Sequence, residues 1–225
     1  MRRTKADALI TRDNILDSAA ALFLSQGVSG TTLGHIAERA GVTRGAIYWH
    51  FEDKAALFNA LMERARMPLE SAMRLLDEPC PREPLATLRE YARLVFDLTV
   101  NDPQARCVFE IATLKVEFVE EMSAVRERRA QAAACWMAAA ESRVALAIAL
   151  GQARPEAKPR TVALGLWAII DGLVRTWMLA PDSFELVAMG ERIAGIHLDA
   201  VRVGRTGGLG RRPGSVRPAP AAPSP

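Results

Sequence analysis

The chain has 225 residues, half of them hydrophobic and 24% charged, with a formal net charge of +3. That length can bury a real core in one large domain or two unequal ones, and the composition reads as soluble and globular. No uninterrupted apolar run reaches membrane-spanning length, and Arg2, Arg3, Lys5, Asp7, Arg12, Asp13 and Asp17 stand where a signal peptide needs an apolar stretch, so a cytoplasmic protein is expected.

Helical spacing recurs along the chain and sustained period-2 alternation does not, which predicts an all-α fold of about nine helices. Ile15, Ala19, Leu22 and Phe23 follow i, i+4, i+7, i+8, and Gly27 supplies a stop, predicting a first helix over about 6–26. Thr31-Thr32 can cap a short second helix that ends at Gly41, and Thr43 a third that ends near His50. Asp53 can cap a fourth, from Lys54 to about Leu76, with Pro68 inside it as an expected kink. Pro79, Pro81 and Pro84 break the chain before a fifth helix over about 85–100. From Pro103 to Gly151 there is no punctuating residue; as one helix this run would span roughly 70 Å, too long for a compact domain, and it divides into helices over about 104–117 and 121–150. An eighth helix covers about 158–179, and Asp182-Ser183-Phe184-Glu185 offers a capping-box-like start to a ninth that ends near Val203.

From about residue 205 the chain is rich in Gly, Pro and Ala, and a disordered tail is expected over 205–225. Five arginines and no acid follow from Arg202 onward, so the basic excess belongs to the tail and the rest is slightly acidic. Cys80, Cys107 and Cys135 match no metal-ligand spacing and give an odd count for a disulfide framework, so they read as small hydrophobes, with no metal or cofactor expected.

Three helices within some fifty residues, the second and third separated only by Gly41-Val42-Thr43, have the form of a helix-turn-helix. Stepped at 100° per residue, the third helix puts Ala46, Ile47 and His50 on one side and Arg44, Gly45, Tyr48 and Trp49 on the other. A DNA surface accounts for the second set. Arg44 can reach a guanine edge in the major groove, Gly45 lets the backbone approach, and Tyr48 and Trp49 carry donors suited to phosphate oxygens. Thr32 and Thr43, at helix starts, and Lys54, at the head of the fourth helix, are candidates for further backbone contacts, as is Lys5 in the basic N-terminal arm. The alternative is an aromatic mini-core between two domains, to which Phe51 is assigned.

The segment from Thr11 to Leu57, with TRDNIL and ALFLSQGVSGTTLGHIAERAGVTRGAIYWHFEDKAAL, closely resembles the DNA-binding domain of the TetR family of bacterial transcriptional repressors. FEIATLKVEFVEEM (109–122), IDGLVRTWMLAPDSFEL (170–186) and the start RRTKADALITRD are similar to its AcrR-type branch, local repressors of multidrug efflux pumps. The resemblance implies homodimers on a palindromic double-stranded operator, a C-terminal domain that senses a small-molecule inducer, no membrane partner, and a phosphate contact at His50. The expected division is a DNA-binding domain over 1–52, a sensor and dimer domain over 53–204, and the tail. A regulator of a metabolic or catabolic operon is the other member of this class.

Gly165, Ala168 and Gly172 share one face of the eighth helix, and interior glycines weaken a helix by about 1 kcal/mol each, so close helix approach across a dimer axis is expected there, with packing inside one subunit as the alternative. Phe96, Phe109, Trp136, Met137 and Trp167 supply apolar candidates for a ligand pocket, and Glu110, Glu117 and Asp171 are carboxylates that a cationic drug would meet if buried. Each carboxylate also fits a solvated face, for example as an Arg106–Glu110 pair. Only three histidines, and no nucleophile motif or phosphate loop, leave nothing to read as an enzyme.

Overall fold

The computed structural model describes residues 5–77, 83–116 and 123–203. Among these, regular structure is helical apart from an antiparallel bridge between Ala153 and Arg202. The helices are α1 (Lys5–Gln26), α2 (Leu33–Ala40), α3 (Arg44–His50), α4 (Lys54–Asp77), α5 (Pro84–Asn101), α6 (Pro103–Glu110), α7 (Ser123–Ala149), α8 (Pro159–Leu179) and α9 (Leu186–Asp199). Cys80, Glu117 and the tail from residue 204 lie outside the described residues.

Short polar side chains and glycines set the boundaries of the first helices. Gly27 (φ 77°) stops α1, and its amide reaches the Phe23 carbonyl at 3.0 Å. Thr32 and Thr43 accept from the His35 and Ala46 amides at 3.2 Å, so each supplies one of the orphan-donor caps a helix start needs. Between them Gly41 (φ 65°) takes the left-handed position, and the amides of Gly41 and Val42 return to the Glu38 and Ala37 carbonyls. Asp53 accepts from the Ala56 amide at 2.6 Å and begins α4, which runs unbroken through Pro68.

Two elements differ from the sequence reading. α-Geometry in the sixth helix ends at Glu110, and Ile111–Lys115 continue as a π-turn, a change that no Gly or Pro announces. The capping box before α9 does not form. Pro181–Ser183 make a 3-10 turn, the Ser183 hydroxyl donates back to the Ala180 carbonyl at 2.6 Å, and Glu185 precedes α9 without a side-chain cap. α9 also stops at Asp199 instead of near Val203. The following residues pair with the α7–α8 loop, Arg154 N–H to the Val201 carbonyl at 2.8 Å and Val203 N–H to the Gln152 carbonyl at 3.0 Å.

Two apolar cores result. Ile15, Phe23, Ile36 and Ile47 of the first three helices close around Leu57, Phe58 and Leu61 of α4, Val108 of α6 and Ile111 just after it. The larger core joins α5, α7, α8 and α9 through residues such as Leu88, Phe96, Trp136, Leu166 and Leu198, and takes in Leu76 at the far end of α4. α4 is therefore common to both. α7 and α8 have the length and apolarity of a membrane span although charged residues interrupt both, but here they pack on one another and on α5.

Candidate nucleic-acid interface

α3 is held from beneath. Ile47 is fully buried and Ala46 and His50 are half-buried, whereas Arg44, Gly45, Tyr48 and Trp49 are exposed, Trp49 by 72%. Such exposure of an indole is unusual for a packed aromatic, because the ring forgoes most of its burial free energy. Arg44 donates to the Tyr48 hydroxyl at 3.2 Å, and its guanidinium lies 5.7 Å from that ring's centroid, so the two side chains support each other across one turn. Trp49 meets His50 edge-on at 4.5 Å. Phe51 is buried, with Arg12 stacked on it at 5.1 Å.

Polar ties hold together the N-terminal head, the unit that α1–α3 form against α4. Asn14 donates to the Ala40 carbonyl at 2.8 Å, anchoring the end of α2 to α1. Arg64 of α4 donates to the Asp13 carbonyl at 3.0 Å and pairs with the Asp13 and Asp17 carboxylates. Thr32 and Thr43 are exposed, as is Lys5 at the start of α1. Lys54 differs from its expected place: it is 7% exposed, and its ammonium donates to the buried Thr31 carbonyl at 3.3 Å. A lysine at a helix start snorkels or turns inward according to what carbonyl its stem can reach, and sequence does not display Thr31.

The candidate pocket residues do not form one group. Phe109 and Glu110 are half-buried, Phe109 against the head's core, whereas Phe96, Trp136, Met137 and Trp167 belong to the larger one. Phe96 is 0% exposed, with its ring filling the place that a Cβ on Gly190 would take. Asp171 is exposed, not enclosed, because it lies on the outer side of α8. Arg106 stacks on Trp177 at 4.8 Å, tying α6 to α8, in place of the pair with Glu110. Beside Glu110, burial pushes the Cys107 thiol pKa up, and the carboxylate adds to the shift.

The three small residues of α8 divide as well. A Cβ on Gly165 would stand 2.4 Å from the His197 ring, which donates to the Val162 carbonyl at 2.9 Å, so that glycine serves packing of α9 on α8 inside the subunit. Ala168 and Gly172 face outward, and nothing lies within 4 Å of a Cβ on Gly172.

Sequence reasoning passed over Arg143. It is 7% exposed on the apolar face of α7, and its Nε donates to the Leu76 carbonyl near the end of α4 at 2.9 Å, with a terminal nitrogen on the same oxygen. The signal was present: Trp136, Ala140, Val144 and Ala147 mark that face, and Arg143 interrupts it.

Residues 15–61 match the family described as bacterial regulatory proteins, tetR family, and residues 83–202 match the C-terminal region of MAATS-type transcriptional repressors. The chain belongs to the TetR family. It is 36% identical over 203 residues to the HTH-type transcriptional regulator TtgR of Pseudomonas putida, covering 90% of this chain and 97% of TtgR. The structure of NalD, the secondary repressor of the MexAB-OprM multidrug efflux pump in Pseudomonas aeruginosa, superposes with a TM-score of 0.80 at 31% identity, over 88% of this chain and 98% of NalD. A complex of SmeT with triclosan superposes with a TM-score of 0.76 at 28% identity, over 93% of this chain and 100% of SmeT. The chain is thus a transcriptional repressor of the TetR/AcrR type, a class of DNA-binding regulators and not of enzymes.

Proposed function

We propose that this repressor binds a palindromic operator as a homodimer, is released by a small antimicrobial compound, and controls a multidrug efflux operon together with its own gene. The observation that carries the DNA half is the outer face of α3, where Arg44, Tyr48 and Trp49 stand exposed on a helix seated by Ile47. Arg44 reads a base edge and Tyr48 and Trp49 hold phosphates; Thr32, Thr43 and His50 add backbone contacts, and Gly45 lets the helix sit close. Lys54 enters this reading through the Thr31 loop that it braces, and Lys5 through the arm.

The dimer reading rests on the outer face of α8 and α9, which exposes Leu164, Leu179, Met189 and Ile196 around Ala168 and Gly172. Single exposed apolar residues are ordinary, but a shared face of this size between two helices fits a four-helix interface with a second copy. Release follows from α4. Arg64 fastens its middle to α1, and Arg143 fastens its end to the sensor core, so a ligand that displaces the α7 side moves the head. A coupling of about 1–3 kcal/mol then weakens operator binding by roughly 5- to 150-fold. The efflux assignment is supported by what NalD represses, and the small-molecule assignment by triclosan bound to SmeT.

The test is a titration of the purified protein against the DNA upstream of its own gene, at fixed salt, with Arg44→Ala and Tyr48→Phe beside wild type. Specific binding lost at Arg44 and weakened at Tyr48 supports the interface. Binding that ignores sequence and both substitutions refutes it and assigns the affinity to general attraction for polyanions.

A further inference from the structure

Trp136 is 2% exposed, yet its indole N–H meets no hydrogen-bond acceptor among the described residues. Buried donors in folded proteins are almost always paired, and one left open lowers stability for as long as it stays open. Its ring stands in an aromatic group drawn from three helices, 5.6 Å from Tyr91 of α5 and 5.0 Å from Trp167 of α8, both tilted. Trp167 and Met137 are only half-buried, so the group is not sealed on that side.

The charges around it decide what it takes. Among the described residues no acidic side chain is buried, and Asp171 faces solvent. The buried charge in this core is Arg143, seven residues beyond Trp136 and therefore on the same face of α7, two turns away. A cation entering here would lose its hydration, meet no buried carboxylate among the described residues, and approach a guanidinium. An oxygen acceptor would instead complete the open donor while its rings stack against the three aromatic side chains.

We propose that the compound sensed by this repressor is a flat aromatic molecule, uncharged or anionic, whose acceptor oxygen takes the Trp136 N–H between α5, α7 and α8. This rests on the sensor reading above and gives that site its ligand chemistry, replacing the cation that the sequence favoured. Trp136 supplies direction and the neighbouring rings supply contact area.

The test uses the full-length protein without DNA and three probes in calorimetric titrations: 9-fluorenone, a flat tricycle with one carbonyl; fluorene, the same skeleton without it; and the cation 9-aminoacridine. Wild type is expected to bind fluorenone on the order of tenfold more tightly than fluorene, and Trp136→Phe, which keeps a ring and removes the donor, to abolish that preference so that the two probes bind alike. Equal affinities in wild type, a preference that survives Trp136→Phe, tighter binding of 9-aminoacridine, or no binding of fluorenone each overturns the proposal. If Trp136→Phe does not fold, the indole N–H spectrum of wild type decides, its four tryptophan signals assigned by single replacement of the others. A Trp136 signal that moves downfield with fluorenone and not with fluorene supports the proposal, and an unmoved one overturns it. Fluorenone that binds as described but never releases operator refutes the sensor reading alone.

Discussion

Replacing Gly190 by alanine adds one methyl group where the structure has no room for it. The new Cβ would lie 2.5 Å from two atoms of the Phe96 ring and 2.9 Å from a third. Carbon atoms pack at about 3.5–4.0 Å, so a shift of about 1 Å is needed. Phe96 is fully enclosed and its ring cannot swing into solvent. Overpacking costs about 1–3 kcal/mol, and against a fully enclosed ring it falls in the upper part of that range, about 2–3 kcal/mol, so the gain in helix propensity of about 1 kcal/mol leaves a net loss of about 1–2 kcal/mol. In a chain of this size that lowers Tm by roughly 2–8 °C. Thermal melts should be compared at one protein concentration, because the proposed dimer would make Tm depend on it. Phe96→Leu is also destabilising alone, but it opens space for the methyl, so the double variant should lose less than the sum of the two by at least about 0.5 kcal/mol. A Gly190→Ala protein that melts at or above wild type, or strict additivity with Phe96→Leu, would refute the account of Phe96 as a wedge between α5 and α9.

Gly41→Ala places a Cβ on a residue at φ 65° with nothing within 4 Å, so its effect is conformational: urea unfolding should show a loss of about 1 kcal/mol, and Gly41→Asn a smaller one. Cys135 is exposed, whereas burial and then Glu110 raise the Cys107 pKa, so iodoacetamide near pH 8 should label Cys135 well before Cys107, as followed by peptide mass analysis. Arg143→Leu leaves the Leu76 carbonyl without its charged donor; stability should fall by about 2 kcal/mol, and inducer should release operator less effectively while ligand-free operator affinity is kept. Equal release by wild type and variant would show that the end of α4 carries no coupling.

The legible parts of this fold were those written in local chemistry. Gly27, Gly41, Thr32, Thr43 and Asp53 each act on the backbone next to them, so the end of α1, both ends of α2 and the starts of α3 and α4 followed from residue types alone. The exposed face of α3 followed from period, because seven residues with one buried isoleucine leave little freedom. What escaped depends on partners distant in sequence. The π-turn after Glu110 presents the Lys115 carbonyl to the Val28 amide at 2.9 Å, a contact across eighty-seven positions that no local pattern records. Lys54 turned inward for the same reason, and Gly165 proved to be shaped by His197. The pocket was hardest, since carboxylates and aromatic residues spaced along helices do not reveal which face meets which core. Asp171, a candidate for an enclosed carboxylate, faces solvent, whereas the N–H of Trp136, a candidate for apolar lining, is the polar group that lies buried.

The pairing of residues 201–203 with the α7–α8 loop has a practical side. Arg202 bonds to Glu83, just before α5, at 2.7 Å, whereas Leu98 at the other end of α5 packs on the head's core. Fifteen positions of this helix separate Glu83 from Leu98, about 22 Å. A fluorescent protein or surface tether attached beyond Val203 would therefore leave from the end of the molecule remote from α3, and immobilising the repressor by that end should leave its operator face open for single-molecule work. The opposite choice, a label ahead of Lys5, would put the cargo on the side of the molecule proposed to face DNA.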